Sequence, residues 1–500
     1  MKQTKMTSRR TFLLSGLAAM AGSAALANAP TVSLRPVSRR NSIFAPGAEG
    51  LKALLAQADL PGEVVCAVAD VNTGRLLESH GAGQALPPAS VAKVITALYA
   101  LETLGGSHRF ETHILATGGV SNGVVLGDLI LAGGGDPMLD TDDLAQLAAA
   151  LKAAGVRSVR GDFLVWDAAL PTIRTIDPGQ PDHLGYSPAV SGIALNFNRV
   201  HFEWKRAAGG GWATTMDART EKHRPEVSMA RMRIATRSTP VYTYAEQSGT
   251  DNWTVASKAL GKGGSRWLPV RNPGAYAGDV FRTLAGAHGI QLGAARQIRT
   301  LPAAQLLAQH QSPPMAEMLK AMLKYSNNLM AEMIGMSATA ARSGRPSSLK
   351  ESATEMSHWA TARYDMPGIR LVDHSGLGEE SRMTPLGLLS ALIAADRSGQ
   401  LKPLLKPFDL RDAKGRPIKD HPIKVAAKTG TLNFVSGLGG FMTASDGTEL
   451  AFAIFSADEA TRASIPRAQR ERPRGAKGWN RRAKALQQQL IERWGAVYGS

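Results

Sequence analysis

One cysteine, Cys66, stands in 500 residues, so no intramolecular disulfide can brace the fold. Its neighbours Val64, Val65, Ala67 and Val68 mark it as a small core residue. The eleven histidines show no ligand spacing such as His-x-x-x-His, and a lone cysteine cannot build a thiolate cluster, so neither a metal nor an organic cofactor is expected. Beyond the N-terminal region no apolar run is long enough to span a bilayer. Gly133-Gly134-Gly135-Asp136-Pro137 lacks the Gly-Lys-Ser/Thr of a phosphate loop and reads as a turn. No internal repeat is evident. Acidic residues are the minority, 41 against 58 Lys and Arg, a formal charge of +17.

A 44% hydrophobic fraction supports a packed core, and the length suffices for two or three domains. Lys2, Lys5 and Ser8-Arg9-Arg10-Thr11-Phe12-Leu13-Leu14 precede a small-residue apolar run ending in Ala25-Leu26-Ala27. This pattern predicts a twin-arginine export signal over 1–27, cleaved near Ala27, in preference to a membrane anchor, because the run is short and rich in Ala and Gly. Export makes the expected localisation periplasmic and argues against a nucleic-acid partner. Residues 28–47, rich in Pro, Arg and Ser, read as a linker. Residues 461–500 hold ten Lys and Arg against Glu471 and Glu492, an excess of +8. Such a tail suits electrostatic association with an anionic cell-wall or membrane surface, or is an ordinary solvated helix face.

The chain is organised around Pro87-Pro88-Ala89-Ser90-Val91-Ala92-Lys93. Val91, Val94, Ile95, Leu98, Leu101 and Leu104 have the spacing of a buried helix face, and Gly105-Gly106 stops the run. Pro87 and Pro88 cannot lie inside that helix, which puts Ser90 in its first turn with Lys93 three residues on, on the same side. Serine followed by lysine is common on surface helices. Here, however, Lys93 directly precedes Val94-Ile95, and a partly desolvated lysine has the lowered pKa that a base for an otherwise inert hydroxyl requires.

In order, Leu51–Ala58 reads as a helix, and Val64–Val71 with Arg75–Glu78 as a hairpin around Asn72-Thr73-Gly74. From about 110 the texture shifts to short strands, at His113–Ala116, Gly123–Val125, Leu129–Ala132 and Phe163–Trp166, with one helix over Thr141–Ala154 capped by Thr141. Residues 205–275 are β-rich with loose loops. Helical texture is expected from Ala275 to about Ala394, broken at Ser326-Asn327-Asn328, with Thr384-Pro385 opening a helix. Val425–Thr431, Val435–Ala444 and Glu449–Ser456 are expected to pair in succession, and Arg481–Val497 to cover them as a helix.

Ser90-Val91-Ala92-Lys93, Ser326-Asn327-Asn328 and Lys428-Thr429-Gly430, in this order and on these elements, resemble the signature of penicillin-recognising serine enzymes. Ser90 and Ser326 stand 236 positions apart, which leaves room for a large insertion. Leu126-Gly127-Asp128-Leu129-Ile130-Leu131, Gly134-Gly135-Asp136-Pro137, Gly155-Val156-Arg157 with Gly161-Asp162, and Asp373-His374-Ser375-Gly376-Leu377 resemble the class C penicillin-binding proteins, the D-alanyl-D-alanine carboxypeptidase/endopeptidase family. The likeness runs from about 45 to 460 and fades over 205–260 and in the tail. The second motif reads Ser-Asn-Asn where many relatives have Ser-Asp-Asn.

The resemblance implies an α/β (α+β) fold: a transpeptidase-like catalytic domain over 48–110 and 290–500, with an antiparallel sheet, helices and an all-helical lobe, and two smaller domains inserted over 111–289. It implies hydrolysis of the terminal D-Ala-D-Ala bond of peptidoglycan stem peptides, cleavage of cross-links, and acylation by β-lactam antibiotics. Ser90 would be the nucleophile and Lys93 its base. Ser326 would relay the proton, and Asn328 would orient Lys93 and hold the substrate amide. Lys428 and Thr429 would receive the terminal carboxylate, Gly430 would let substrate approach the strand, and the amides of Ser90 and Thr431 would form the oxyanion hole. Asp373 and Ser375 read as a structural turn. A β-lactamase and a non-catalytic wall-binding protein are the alternatives. No Glu-x-x-Leu-Asn lies between Ser326 and Lys428 to serve the first, and the intact motifs weigh against the second.

Overall fold

The computed structural model describes residues 50–499. The expected export signal and the whole of the expected linker lie outside the described residues.

After helix α1 (Leu51–Gln57), strands β1 (Glu63–Asp70) and β2 (Leu76–His80) form the expected hairpin, and a tight 3-10 turn over Ala89–Ala92 leads into α2 (Lys93–Thr103). An inserted region follows. It comprises β3 (Glu111–Ala116), β4 (Val120–Ser121), β5 (Val124–Val125), β6 (Leu129–Gly133), α3 (Thr141–Ala153), β7 (Ser158–Val159) and β8 (Phe163–Trp166). It continues through β9 (Arg199–Arg206), β10 (Trp212–Asp217), β11 (Ala230–Ala235), β12 (Tyr242–Gln247), β13 (Thr250–Ala256), β14 (Gly264–Pro269), α4 (Pro273–Ala287), β15 (Arg296–Ile298) and β16 (Gln305–Gln311). The helical lobe is α5 (Met315–Tyr325), α6 (Asn328–Ser343), α7 (Leu349–Tyr364) and α8 (Pro385–Asp396). The chain closes with β17 (Lys406–Pro407), β18 (Lys424–Leu432), β19 (Val435–Thr443), β20 (Glu449–Ala457), α9 (Glu459–Ala463) and α10 (Ala476–Tyr498).

The main sheet has the order β17-β18-β19-β20-β1-β2 and is antiparallel throughout. Its centre joins the two ends of the chain: β1 pairs with β20 from Glu63–Ala457 to Asp70–Leu450. Strand alternation sends Val65, Ala67 and Ala69 to one face and Cys66 and Val68 to the other. The first face packs on α2 and α8. The second packs on α10 through Leu486, Leu490, Ile491 and Trp494. Burial of each such side chain is worth roughly 1.5–3 kcal/mol, so α10 is part of the sheet's core. Burial also pushes the Cys66 thiol up to about 12, leaving it a neutral core group.

The insertion is built on a five-stranded sheet, β15-β8-β6-β3-β16, beside the small sheets β10-β9-β14, β11-β13-β12 and β4-β5-β7. Two expectations change here. First, β16 pairs with β3 from Gln305–Ala116 to Gln311–Glu111 and β15 pairs with β8, so the insertion closes at 311 instead of 289. β15 is only three residues long, and β16 carries four Gln and His at its ends without period-two apolar alternation, which hides both in a region whose texture is helical. Second, the larger buried cluster of the insertion, including Ile114, Leu131, Phe163, Phe202, Trp253 and Phe281, spans its sheets, and a smaller one of Leu115, Ile130, Ala132 and Leu164 lies apart from it.

Capping explains the local stops. The cap of α3 is Asp140, not Thr141: the Asp140 carboxylate accepts from the amides of Asp142 and Asp143, and Asp143 reaches back to the Asp140 amide. Thr141 instead donates to the Ala218 carbonyl. Thr384 caps α8 with Pro385 in its first turn. The insertion is fastened to the lobe by Leu170, Ile176 and Val190 against Leu329, Met333 and Met336 of α6.

Candidate active site

Every residue from Lys93 to Ala100 of α2 is buried, and Ser90 sits in the 3-10 turn just before that helix. The turn is pressed between two glycines. A Cβ on Gly430 of β18 would lie 2.7 Å from the Pro88 carbonyl oxygen and 3.0 Å from the Ser90 amide nitrogen. A Cβ on Gly376 would lie 1.8 Å from the Ala89 carbonyl oxygen. Ala89 is held at φ +46°, in the left-handed region that a side chain rarely adopts. The expected role of Gly430 is to admit substrate to the strand; the space its missing side chain leaves is taken up by the serine turn.

The Lys93 Nζ lies 2.9 Å from Ser90 Oγ, 2.8 Å from Asn328 Oδ1 and 2.8 Å from the Ser375 carbonyl oxygen. The Asn328 Nδ2 donates to the Tyr186 carbonyl at 3.0 Å. A carbonyl can only accept, so Nδ2 must face Tyr186 and Oδ1 must face Lys93. Burial pulls Lys93 down to about 8, opposed by the carboxylates of Glu332 and Asp373. The neutral amine, a minority at pH 7 that grows as pH nears that value, has two N–H donors and one lone pair. Two of its three neighbours are oxygens that only accept, which leaves the lone pair for the Ser90 hydroxyl.

Ser326 ends α5 at φ +57°, and Asn327 caps α6, accepting from the Met330 amide at 3.1 Å. Asp and Asn cap equally well, which accounts for Ser-Asn-Asn in place of Ser-Asp-Asn. Lys428, on β18, donates to Ser326 Oγ at 3.0 Å and to the Thr429 carbonyl at 2.7 Å. Burial holds Lys428 well below the usual lysine range, and the nearby cations of Lys93 and Lys406 add to the effect. The side chains of Thr429 and Thr431 alternate with Gly430 along β18, and both residues are exposed. The structure thus gathers Ser90, Lys93, Ser326, Asn328, Lys428 and Gly430 at one place, with Thr429 and Thr431 on the adjoining strand.

Two acids complete the surroundings. Glu332 is fully buried and accepts from the amides of His374 and Ser375, and so holds the Ser375 carbonyl that faces Lys93. Asp373 does close a turn, as its motif suggests, accepting from Gly376 and Gly378 at 2.6 Å each, and is buried beside Lys93. Burial pushes both carboxyls up. His374, pushed down to about 3 by burial, is neutral. Motif reasoning misses Glu332, although an acid in the apolar run Leu329-Met330-Ala331-Glu332-Met333-Ile334, four residues from Asn328, is an available signal. The Tyr186 carbonyl comes from the insertion, and no motif points to it. Among the described residues no group of three or more His, Cys, Asp or Glu could hold a metal ion.

A serine hydrogen-bonded to a buried lysine at the foot of a helix, set between an antiparallel sheet and a helical lobe, is the arrangement of the β-lactamase/transpeptidase fold. Residues 48–474 match the D-Ala-D-Ala carboxypeptidase 3 (S13) family, and the chain belongs to that family. It is 28% identical over 439 residues to the D-alanyl-D-alanine carboxypeptidase of Actinomadura sp. (strain R39), covering 81% of this chain and 80% of the relative. It is 26% identical over 416 residues to the D-alanyl-D-alanine carboxypeptidase DacB of Haemophilus influenzae, covering 77% of this chain and 83% of the relative. Among solved structures, penicillin binding protein 4 of Haemophilus influenzae superposes with a TM-score of 0.72 at 21% identity, over 89% of this chain and all of that one.

Proposed function

We propose that the protein is a serine DD-peptidase that hydrolyses the D-Ala-D-Ala bond ending peptidoglycan stem peptides and is acylated by β-lactams. The observation that carries this reading is the Lys93 amine held 2.9 Å from Ser90 Oγ by two groups that can only accept from it, Asn328 Oδ1 and the Ser375 carbonyl. Ser90 Oγ attacks the carbonyl between the two D-alanines as Lys93 takes its proton. The amides of Ser90 and Thr431 face the developing oxyanion, a contribution of roughly 3 kcal/mol per donor in other acyl-transfer enzymes. Ser326, bonded to Lys428, passes a proton to the departing nitrogen, and Asn328 holds the substrate amide. The terminal carboxylate meets Lys428 and Thr429, supplying the anion that this buried lysine lacks. Water then releases the acyl group through the same base. The same machinery acts on cross-links, where the leaving amine belongs to a second stem.

The Arg9-Arg10 signal reading supports export and a periplasmic enzyme. Part of the basic tail is structural: Arg493 pairs with Glu78, Arg462 and Arg470 with Glu379, and Arg467 with Asp182. Arg472, Arg474, Lys477, Arg481, Arg482 and Lys484 are exposed, and these are the residues that support association with an anionic wall or membrane surface.

The test is intact mass over time with benzylpenicillin, alongside D-alanine release from a pentapeptide, for wild type and Ser90→Ala. A persistent adduct and D-alanine release, both lost in Ser90→Ala, are expected. A transient adduct with rapid drug loss and no D-alanine release would overturn the reading in favour of a β-lactamase.

A further inference from the structure

Against the active site lies a cavity of about 440 Å³ whose wall includes Tyr186, Phe197, Arg199, Tyr325, Ser326 and Asn328. Three independent features set it apart from a packing gap. The first is the state of Arg199. Its Nε is buried without a hydrogen-bond partner, and among the described residues no carboxylate pairs with its guanidinium. The group instead stands over the rings of Phe197, 5.4 Å from the centroid, and Trp267, 5.6 Å from the centroid. Only Nε is shut off from water while the residue as a whole is partly exposed, so the group keeps N–H donors open to an anionic ligand beside one that is buried and unmet.

The second feature is backbone strain. Asn196, Phe197 and Asn198 are three successive residues at φ between +50° and +57°. Side chains with left-handed backbones cost of order 1–3 kcal/mol each and persist only where the surroundings impose them. Here the Asn196 side chain bonds Thr141 and the Asn198 side chain bonds the Leu195 amide and the Ala189 carbonyl. The turn so held places Phe197 and Arg199 at the cavity. The third feature is the lip. Tyr186 and Tyr325 are 44% and 71% exposed and flank the catalytic residues in the chain or in space: Tyr325 precedes Ser326, and the Tyr186 carbonyl is bonded to Asn328.

Ser326 and Tyr325 place the cavity on the side where the leaving nitrogen receives its proton. We propose that the cavity is a subsite for the leaving strand of a cross-linked stem peptide, in which Arg199 takes a carboxylate further along that strand than the one received by Lys428 and Thr429, and the two tyrosines pack on its aliphatic part. The proposal rests on the DD-peptidase reading.

The experiment uses the full chain carrying Ser90→Ala and a cross-linked peptide dimer in two forms, with the remote carboxylates of the leaving strand free or amidated. Binding of each is measured by calorimetry. The free acid is expected to bind roughly tenfold or more tighter than the amide, the ratio typical of one charge-assisted hydrogen bond. That ratio is expected to collapse toward one when Arg199→Gln is added and to survive in part with Arg199→Lys, which keeps the charge. Equal binding of acid and amide, or a ratio that persists in Arg199→Gln, would overturn the proposal. Failure of the underlying reading has a different signature: wild type would release no D-alanine from the monomeric pentapeptide, whatever the dimers do.

Discussion

The Asn328 side-chain oxygen stands 2.8 Å from Lys93 Nζ, although 235 residues separate the two in the chain. Because Asn328 Nδ2 is committed to the Tyr186 carbonyl, the asparagine can only accept from the lysine. Replacing it by Asp adds a negative charge beside Lys93 and removes the donor to Tyr186. The charged lysine is then favoured, so acylation by benzylpenicillin at pH 7 is expected to slow at least about tenfold, with its pH limb displaced upward. A limb that stays in place would mean that Asn328 does not control the base.

Wild-type acylation is expected to follow the Lys93 amine. Its pKa is lowered by burial to about 8, so the neutral base is scarce below that pH and dominant above it. The second-order rate constant with benzylpenicillin is expected to rise with pH through about 8 and then level. A rate constant flat from pH 6 to 9 would assign the base elsewhere.

Glu332 acts on the same amine from behind, and its charge raises the Lys93 pKa. Glu332→Gln removes that charge, so the pH limb is expected to move down. The substitution also sets an amide donor against the N–H groups of His374 or Ser375, costing about 1–3 kcal/mol. A thermal melt and an acylation pH profile read the two effects separately. An unmoved limb with a lowered melting temperature would show that Glu332 only braces the backbone.

Gly430→Ala drives a methyl group into the Pro88 carbonyl and the Ser90 amide, both backbone atoms that cannot swing aside. Overpacking of this kind costs about 1–3 kcal/mol. Here it is also expected to displace the nucleophile, so acylation should fall by about 100-fold or more in protein that remains folded. Near wild-type acylation would show that the serine turn is not held by this contact.

The exposed cations of α10 can be tested without touching the core. Deleting the tail would strip Trp494 and Leu490 from the sheet, whereas Lys477, Arg481 and Lys484 lie at helical spacing on an exposed face. Reversing these three to Glu is expected to weaken co-sedimentation with purified peptidoglycan at low salt, with the difference vanishing at high salt as charges are screened. Binding unchanged at low salt would leave the tail a purely structural element.

Local chemistry makes a large part of the fold and site legible in the amino-acid sequence. Ser90 and Lys93 can be paired because i and i+3 share a side of a helical turn, although the structure makes that turn a 3-10 one ahead of α2, and the three strands from Lys424 to Ala457 announce themselves by length and short turns. The helix cap at Thr384-Pro385 is equally local. Each of these rests on interactions within a few residues, which is the range over which sequence spacing dictates geometry.

Beyond that range packing decides. The closure of the insertion at Gln311 depends on β16 finding β3, almost two hundred residues earlier, and its polar edge carries no strand signal of its own. Which oxygen of the chain faces Lys93 cannot be read from a motif, because the Ser375 and Tyr186 carbonyls are backbone groups present in every residue. Sequence alone determined that a serine, two lysines and an asparagine were available for acyl transfer. Only the tertiary structure decided which oxygens face the Lys93 amine and, among the described residues, set no carboxylate against Arg199, since both depend on which acceptors the fold brings within about 3 Å of each cation.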